Sequence, residues 1–133
     1  MNKTLHVFSG SFSSDEEARK YSEAQWEVPA PDDSWSDEAY SDWEDRNPSW
    51  ALRDDLNVYL ASDFIETIFG EEKNDYLVGQ LAKDADRVRI REEIPASANT
   101  LVLIMSEALG GFSGTLRATP TLRYHGEFLW NQA

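Results

Sequence analysis

The apolar run LVLIM at residues 101–105 constrains the fold of this chain more than any other segment. Five consecutive apolar residues match the length of a β-strand, and a run without polar alternation is typical of a strand covered on both faces. We therefore predict that this run lies at the centre of a β-sheet.

Three further segments carry strong local signals. Residues 4–9 predict an opening strand that Gly10 ends, and Ser14 with Glu17 forms a capping box that predicts a helix after Ser14. A short helix is predicted over residues 37–45, where Ala39, Tyr40 and Trp43 share one face and Asn47-Pro48 ends the helix.

The remaining patterns are weaker. Phe64, Ile65, Ile68 and Phe69 predict one apolar helix face with Gly70 as its C-cap, and residues 74–83 predict a further short helix. Residues 87–91 alternate arginine with Val88 and Ile90, which predicts an edge strand with a basic outer row.

The C-terminal part predicts short strands joined by turns. Residues 110–114 form a glycine-rich connection, residues 115–119 and 121–124 alternate like strands around a break at Pro120, and residues 125–127 turn the chain into 128–130. The whole predicts a single α+β domain over residues 1–133, with an N-terminal strand, a helical acidic middle and a mainly antiparallel C-terminal sheet.

The charge is unevenly distributed. The 133 residues carry a formal net charge of −13, and all of the excess lies in residues 1–75, which hold 19 acids and 6 bases against 6 of each in residues 76–133. This balance excludes nucleic-acid binding driven by the protein's own charge, because phosphate contacts need clustered Lys and Arg.

Tryptophan is concentrated beside the acid. Trp26, Trp35 and Trp43 lie within the acid-rich residues 15–45, and Trp50 follows shortly after. For each Trp the first interpretation is packing on the core, which we favour for Trp50. The alternative is a surface on which acids steer a basic partner and aromatic rings anchor it.

Catalytic patterns are weak or missing. His6 and His125 have no second ligand at metal spacing, the chain has no Cys, and its serines lack a GxSxG elbow. The glycine-rich segment lacks the Lys of a phosphate-binding loop. Two catalytic carboxylates need a defined distance across a cleft, and acids at adjacent positions in the sequence do not indicate such a distance. We therefore predict a binding protein, not an enzyme, with no metal and no cofactor.

Targeting signals are also missing from the sequence. Residues 5–8 are too short for a secretory apolar region, and no stretch approaches the roughly 20 apolar residues of a membrane span. The absence of Cys fits a reducing compartment, so the expectation is a cytoplasmic protein that does not engage a membrane.

Four segments in the first half resemble the immunity protein 22 family of bacterial polymorphic toxin and contact-dependent growth inhibition systems. They are HVFSGSFSSDEEARKY, QWE, WEDRNPSW and DFIETIFG, in this order between His6 and Gly70. The resemblance implies a small cytosolic α+β protein that binds the C-terminal domain of a cognate toxin and protects the cell that carries it. It implies no enzymatic activity and no cofactor.

The residues themselves favour the same kind of partner. A toxin that cuts nucleic acid needs a cationic cleft, which a concentrated negative surface complements. Our hypothesis is that two indoles provide contact area and six carboxylates face basic residues of the toxin: Trp35, Trp43, Asp32, Asp33, Asp37, Asp42, Glu44 and Asp45.

The competing function is a carbohydrate-binding or other small-ligand module, because Trp and carboxylates also line sugar sites. An enclosed pocket lined by Trp favours that alternative, whereas an open acidic face favours a protein partner. The oligomeric state, the toxin's activity and the part of the toxin that is bound stay open at this point.

Overall fold

The computed structural model describes residues 3–110 and 116–130, which form an α+β fold around one antiparallel sheet. The strands are β1 (Lys3–Gly10), β2 (Ile65–Phe69), β3 (Thr100–Met105) and β4 (Arg123–Trp130), in the spatial order β2-β3-β1-β4. The predicted central position of the LVLIM run is confirmed, because β3 pairs with β2 on one side and β1 on the other. The predicted N-terminal strand is confirmed as β1.

In these two described ranges, five α-helices connect and flank the strands: α1 (Asp15–Ser22), α2 (Asp37–Arg46), α3 (Ala51–Leu56), α4 (Lys73–Gln80) and α5 (Asp84–Glu93). The predicted cap of α1 is confirmed, since the Ser14 hydroxyl accepts a hydrogen bond from the Glu17 amide at 3.1 Å. Within the described ranges, no helix is long and apolar enough to cross a membrane.

Apolar side chains cover both faces of the sheet. On one face, Phe8, Val102 and Ile104 pack with residues of α3, including Leu52 and Leu56. On the other face, alternate residues of the same strands pack with α4 and α5; this second core includes Leu5, Val7, Leu77, Ile90, Leu101 and Leu103. Because side chains alternate along a strand, the unbroken apolar run of β3 supplies both cores.

The prediction of a helix over residues 64–69 is wrong, because Ile65–Phe69 forms β2. Three of its residues are β-branched and therefore favour a strand: Ile65, Thr67 and Ile68. The deciding influence lies outside the segment. β3 needs a hydrogen-bonding neighbour on the side that β1 leaves open, and β2 supplies it. Buried Thr67 also bonds the Ser22 hydroxyl of α1 at 2.5 Å.

The prediction of an edge strand around Val88 and Ile90 is also wrong, because these residues belong to α5. Ile90 and Ile94 are both buried one helical turn apart, whereas Val88 is 57% exposed. The Arg89 guanidinium pairs with the Glu93 carboxylate at 2.6 Å across one helical turn. An alternation of five residues is too short to exclude the helical period.

The predicted turn at residues 125–127 is wrong, because β4 runs continuously from Arg123 to Trp130. The pairing with β1 shifts between Val7, which faces Gly126, and Phe8, which faces Tyr124. His125 is therefore the extra residue of a β-bulge. Gly126 has a φ of 112°, a conformation that glycine adopts without steric cost.

The chain turns before β4 at Pro120, where the Thr119 amide donates to the Leu122 carbonyl at 2.9 Å. The predicted break at Pro120 is confirmed. The predicted strand over 115–119 is wrong for residues 116–119, which are irregular, and Thr115 lies outside the described residues. Residues 111–114 of the predicted glycine-rich connection also lie outside them.

Candidate functional site

Residues 26–48 lie between α1 and α3, outside the sheet, and form a segment that we call the acidic arm. Its two ends are joined by an antiparallel bridge between Gln25 and Ser49, whose amides donate to each other's carbonyl oxygens at 2.8 and 2.9 Å. The acidic arm contains eight carboxylates and one basic residue, Arg46, so its net charge is −7. More than half of the net charge of the chain therefore lies on this short segment.

The helix of the acidic arm, α2, buries none of its residues. Its Trp43 packs within the arm instead, stacking on Trp26 with ring centroids 5.7 Å apart and an interplanar angle of 26°. Trp26 remains 57% exposed. The pair presents large apolar rings next to water, and exposed aromatic surface among charges is typical of a protein-binding anchor.

Hydrogen bonds around Glu27 hold the acidic arm in shape. The Glu27 carboxylate accepts from the Asn47 amide at 2.9 Å and pairs with Arg46 at 3.1 Å, while the Glu27 carbonyl accepts from the Trp43 indole at 3.3 Å. The hydrogen bond from Asn47, followed by the Arg46 contact, lowers the pKa of Glu27. These bonds connect the two ends of the arm and orient Trp43.

All eight residues predicted to bind a partner lie on the acidic arm. The six carboxylates are exposed: Asp32, Asp33, Asp37, Asp42, Glu44 and Asp45. The Ser34 hydroxyl and amide donate to Asp32 and lower its pKa. Trp35 and Trp43 are half-buried and line a groove of about 330 Å³ with Pro29 and Arg46. The structure thus places the predicted residues on one segment, and their contact with a partner stays a prediction.

Sequence reasoning missed Trp26 as part of this surface. Trp26 and Trp43 are 17 positions apart, and no helical or strand period relates them. They meet because the bridge at Gln25 and Ser49 closes the segment between them. Val28 was missed in the same way and is 89% exposed. The available signal was that the irregular proline-containing stretch after Trp26 offers no helix face on which to bury these side chains.

The core interpretation of Trp50 is confirmed. Trp50 is 4% exposed in the first core, and its indole N–H donates to the Ser22 carbonyl at 2.8 Å. The tryptophans of this region therefore have two roles. Trp50 fixes α1 against α3, whereas Trp26 and Trp43 belong to the acidic arm.

The two histidines are buried in the sheet and have close polar neighbours. His6 Nδ1 lies 2.8 Å from the Tyr124 hydroxyl, and His6 Nε2 lies 3.2 Å from Glu127 Oε2. His125 Nε2 lies 2.7 Å from the Ser9 hydroxyl. Burial lowers the pKa of both imidazoles, and Glu127 opposes this effect at His6.

The Ser9–His125 pair resembles the nucleophile and base of a hydrolase in its distance alone. Both residues are 2% exposed, so the Ser9 hydroxyl is not accessible to a substrate. His125 Nδ1 has no hydrogen-bond partner in the described part of the chain, so the pair has no third group to orient the imidazole there. A structural role in joining β1 to β4 accounts for the contact.

Over the described ranges, no group of three or more His, Cys, Asp or Glu is placed to hold a metal ion. No family model, curated protein sequence or solved structure matches this chain. The functional conclusion therefore depends on the surface itself and on the resemblance carried by the segments between His6 and Gly70.

Proposed function

We propose that this chain is a cytoplasmic immunity protein that binds and neutralises a cognate bacterial toxin domain through the acidic arm. The observation that carries the proposal is the combination, on one segment, of a net charge of −7 with a Trp26–Trp43 stack in which Trp26 is exposed. This combination provides both parts of a steered protein interface: charge for the encounter and aromatic area for affinity.

The carboxylates act mainly on the rate of association. They are exposed, so each single pair with a basic partner contributes little free energy on its own. Their concentration on one segment raises the local potential and attracts a cationic surface over about 8–10 Å at physiological ionic strength. A nuclease toxin fits this field, because its substrate-binding cleft is cationic.

The indoles provide the surface that is buried on binding. Trp26 and Trp43 already stack in the free protein, and the bonds of Glu27 to Asn47 and Arg46 hold the segment in place. A preformed surface loses less conformational entropy on binding than a flexible one, so more of the contact energy appears as affinity.

The groove between Trp35 and Trp43 favours a protein partner over a sugar. It measures about 330 Å³ and is open to solvent, whereas small-ligand sites enclose most of the ligand's surface. A side chain of the partner can enter such a groove while the rest of the partner covers the carboxylates around it.

The experiment is calorimetric titration of the purified protein with the C-terminal domain of whichever large secreted protein is encoded beside it. The titration is run at about 50 mM and at about 500 mM salt, which shortens the Debye length severalfold. We expect nanomolar or tighter binding at low salt and at least about tenfold weaker binding at high salt.

Tight binding that does not weaken at high salt would support the immunity function but exclude the acidic arm as the binding site. No binding at either salt would reject the immunity proposal. Titration with a panel of mono- and oligosaccharides then tests the carbohydrate-binding alternative. Saturable heat release in that titration would support a carbohydrate-binding function.

A further inference from the structure

A second candidate site lies where β2 ends and β3 begins. Residues 69–71, 73–74 and 95–99 line a partly open cavity of about 460 Å³ between the two loops. Its apolar wall includes Phe69 and Pro95, and its polar lining includes Lys73, Asn74 and Ser97. None of these residues belongs to the acidic arm.

Lys73 is the unusual residue of this cavity. It is 7% exposed, and its side chain makes no ion pair or hydrogen bond within residues 3–110 and 116–130. Lysine commonly buries its apolar stem while its ammonium group stays in contact with water. The cavity therefore has an unused cationic group at its lining.

Asn74 adds a second unused polar group. Its Oδ1 atom is buried and has no hydrogen-bond partner among the described residues. Native structures seldom leave such an atom unpaired, and a bound molecule is one way of pairing it. Lys73 and Asn74 are consecutive, so a donor and an acceptor without partners adjoin the same cavity.

The start of α4 also adjoins the cavity. Lys73 and Asn74 are its first two residues, and the Glu72 side chain makes no capping hydrogen bond there. The helix dipole adds positive potential there. Glu71 also lines the cavity, and its exposed carboxylate disfavours a ligand with more than one negative charge.

We propose that this cavity binds a monocarboxylate that carries an N–H donor on the adjacent carbon and an apolar side chain. The Lys73 ammonium pairs with the carboxylate, Asn74 Oδ1 accepts from the N–H group, and Phe69 and Pro95 contact the apolar side chain. A free amino acid and the C-terminal residue of a peptide share this chemistry.

The test is titration of the isotopically labelled full chain by amide NMR with three probes: N-acetyl-L-leucine, L-leucine and N-acetyl-L-leucinamide. The leucinamide matches the acetylated acid in shape but lacks the carboxylate. We expect saturable shifts at residues 70–75 and 95–99 with N-acetyl-L-leucine and at least about tenfold weaker binding of the leucinamide.

Saturation with N-acetyl-L-leucine alone assigns the site to peptide C-termini, and saturation with L-leucine as well assigns it to free amino acids. Equal binding of the acid and the leucinamide, or no saturable shift with any probe, overturns the proposal. These comparisons use the unmodified chain and so do not depend on the folding of a variant.

The matched variants are Lys73→Met, which keeps the apolar stem and removes the ammonium, and Lys83→Met, which removes the same charge from an exposed position. We expect Lys73→Met to bind N-acetyl-L-leucine at least about tenfold more weakly and Lys83→Met to bind it normally. Equal weakening in both variants would mean that net charge, not this cavity, controls binding.

Discussion

His125 Nε2 lies 2.7 Å from the Ser9 hydroxyl, and this buried contact joins β4 to β1 at the bulge of the sheet. His125 is the residue that the bulge leaves without a partner on β1. Its imidazole is 2% exposed, and burial lowers its pKa below the usual value of 6.5. His6, 4% exposed on β1, has a lowered pKa for the same reason.

The two histidines predict that the fold loses stability in mild acid. Below about pH 6.5 the imidazoles of the unfolded chain take up protons, while those of the folded chain stay neutral. The unfolded state then binds more protons, so the free energy of unfolding falls as the pH falls. Each histidine contributes a slope of at most about 1.4 kcal/mol per pH unit, which urea titrations between about pH 7.5 and 5.5 will measure.

The control is the double variant His6→Gln and His125→Gln, which keeps polar groups at both positions and removes the titration. Its free energy of unfolding should change less with pH over the same range. The two carboxyls of the acidic arm with lowered pKa values, Glu27 and Asp32, titrate below this range. An unchanged slope in the double variant would show that other groups cause the acid sensitivity.

Gly126 predicts a second stability effect. Its φ is 112°, and an added Cβ atom would lie 3.2 Å from Arg89 Nη2, which donates to the His125 carbonyl at 2.6 Å. Gly126→Ala combines unfavourable backbone geometry with a close contact to this guanidinium. We expect a loss of about 1–3 kcal/mol in the free energy of unfolding, measured by urea denaturation at neutral pH.

Gly79→Ala is the matched control for this substitution. Gly79 lies in α4, and an added Cβ atom would meet nothing within 4 Å. Alanine favours the helix over glycine, so this variant should gain up to about 1 kcal/mol. A loss of stability at Gly79, or no loss at Gly126, would contradict the assignment of these two conformations.

Elements with strong local signals were predictable from the sequence. The predicted cap at Ser14 starts α1, since its hydroxyl group accepts from the Glu17 amide at 3.1 Å. The helix predicted over residues 37–45 from the shared face of Ala39, Tyr40 and Trp43 is present as α2. The apolar run of β3 predicts burial on both faces, whichever parts of the chain supply the neighbouring strands and helices. In each case the residues that determine the structure lie within the element or directly before it.

The elements predicted wrongly depend on partners that are distant in the sequence. Ile65–Phe69 is a strand because β3 pairs with it. Residues around Ile90 form a helix because Ile90 and Ile94 share one buried face against β1 and β4. The bulge at His125 arises from the register of β4 against β1. A local pattern does not encode these long-range pairings.

The candidate site was predictable only in its chemistry. Local composition placed acids and indoles together, and all eight predicted residues lie on the acidic arm. The contact of Trp26 with Trp43 depends on the bridge between Gln25 and Ser49, which closes the arm across a long irregular segment. No short sequence period indicates such a closure.

The tryptophans predict contrasting stability effects. Trp50→Ala removes a 4% exposed side chain and leaves the Ser22 carbonyl without its indole donor, so we expect a loss of about 3–5 kcal/mol. Trp26→Ala removes a 57% exposed ring, and losing its stack on Trp43 should cost about 1.5 kcal/mol or less. Urea denaturation followed by circular dichroism measures both effects.

Trp26 contributes little to stability, but we expect it to contribute strongly to toxin binding. Trp26→Ala keeps the fold and removes an exposed anchor, so we expect toxin binding to weaken by about 2 kcal/mol or more in calorimetry. Normal toxin binding by Trp26→Ala would exclude the Trp26–Trp43 stack from the interface. Comparable stability losses at both positions would instead mean that the acidic arm is part of the core.

Three carboxylates of α2 predict the electrostatic part of binding. Asp42, Glu44 and Asp45 are exposed, and replacing them together with Asn, Gln and Asn removes three negative charges. We expect association with the toxin domain to slow by about tenfold at low salt and to become less sensitive to salt. Stopped-flow kinetics at several salt concentrations measures both changes.

The matched control removes three charges from α5, where Asp84, Asp86 and Glu92 are replaced with Asn, Asn and Gln. Both triple variants have the same net charge, so a difference between them reports where the charge lies and not how much there is. The α5 variant should associate at close to the rate of the unmodified protein. Equal slowing in the two variants would show that the toxin responds to the overall charge of the chain, and would remove the acidic arm from the interface.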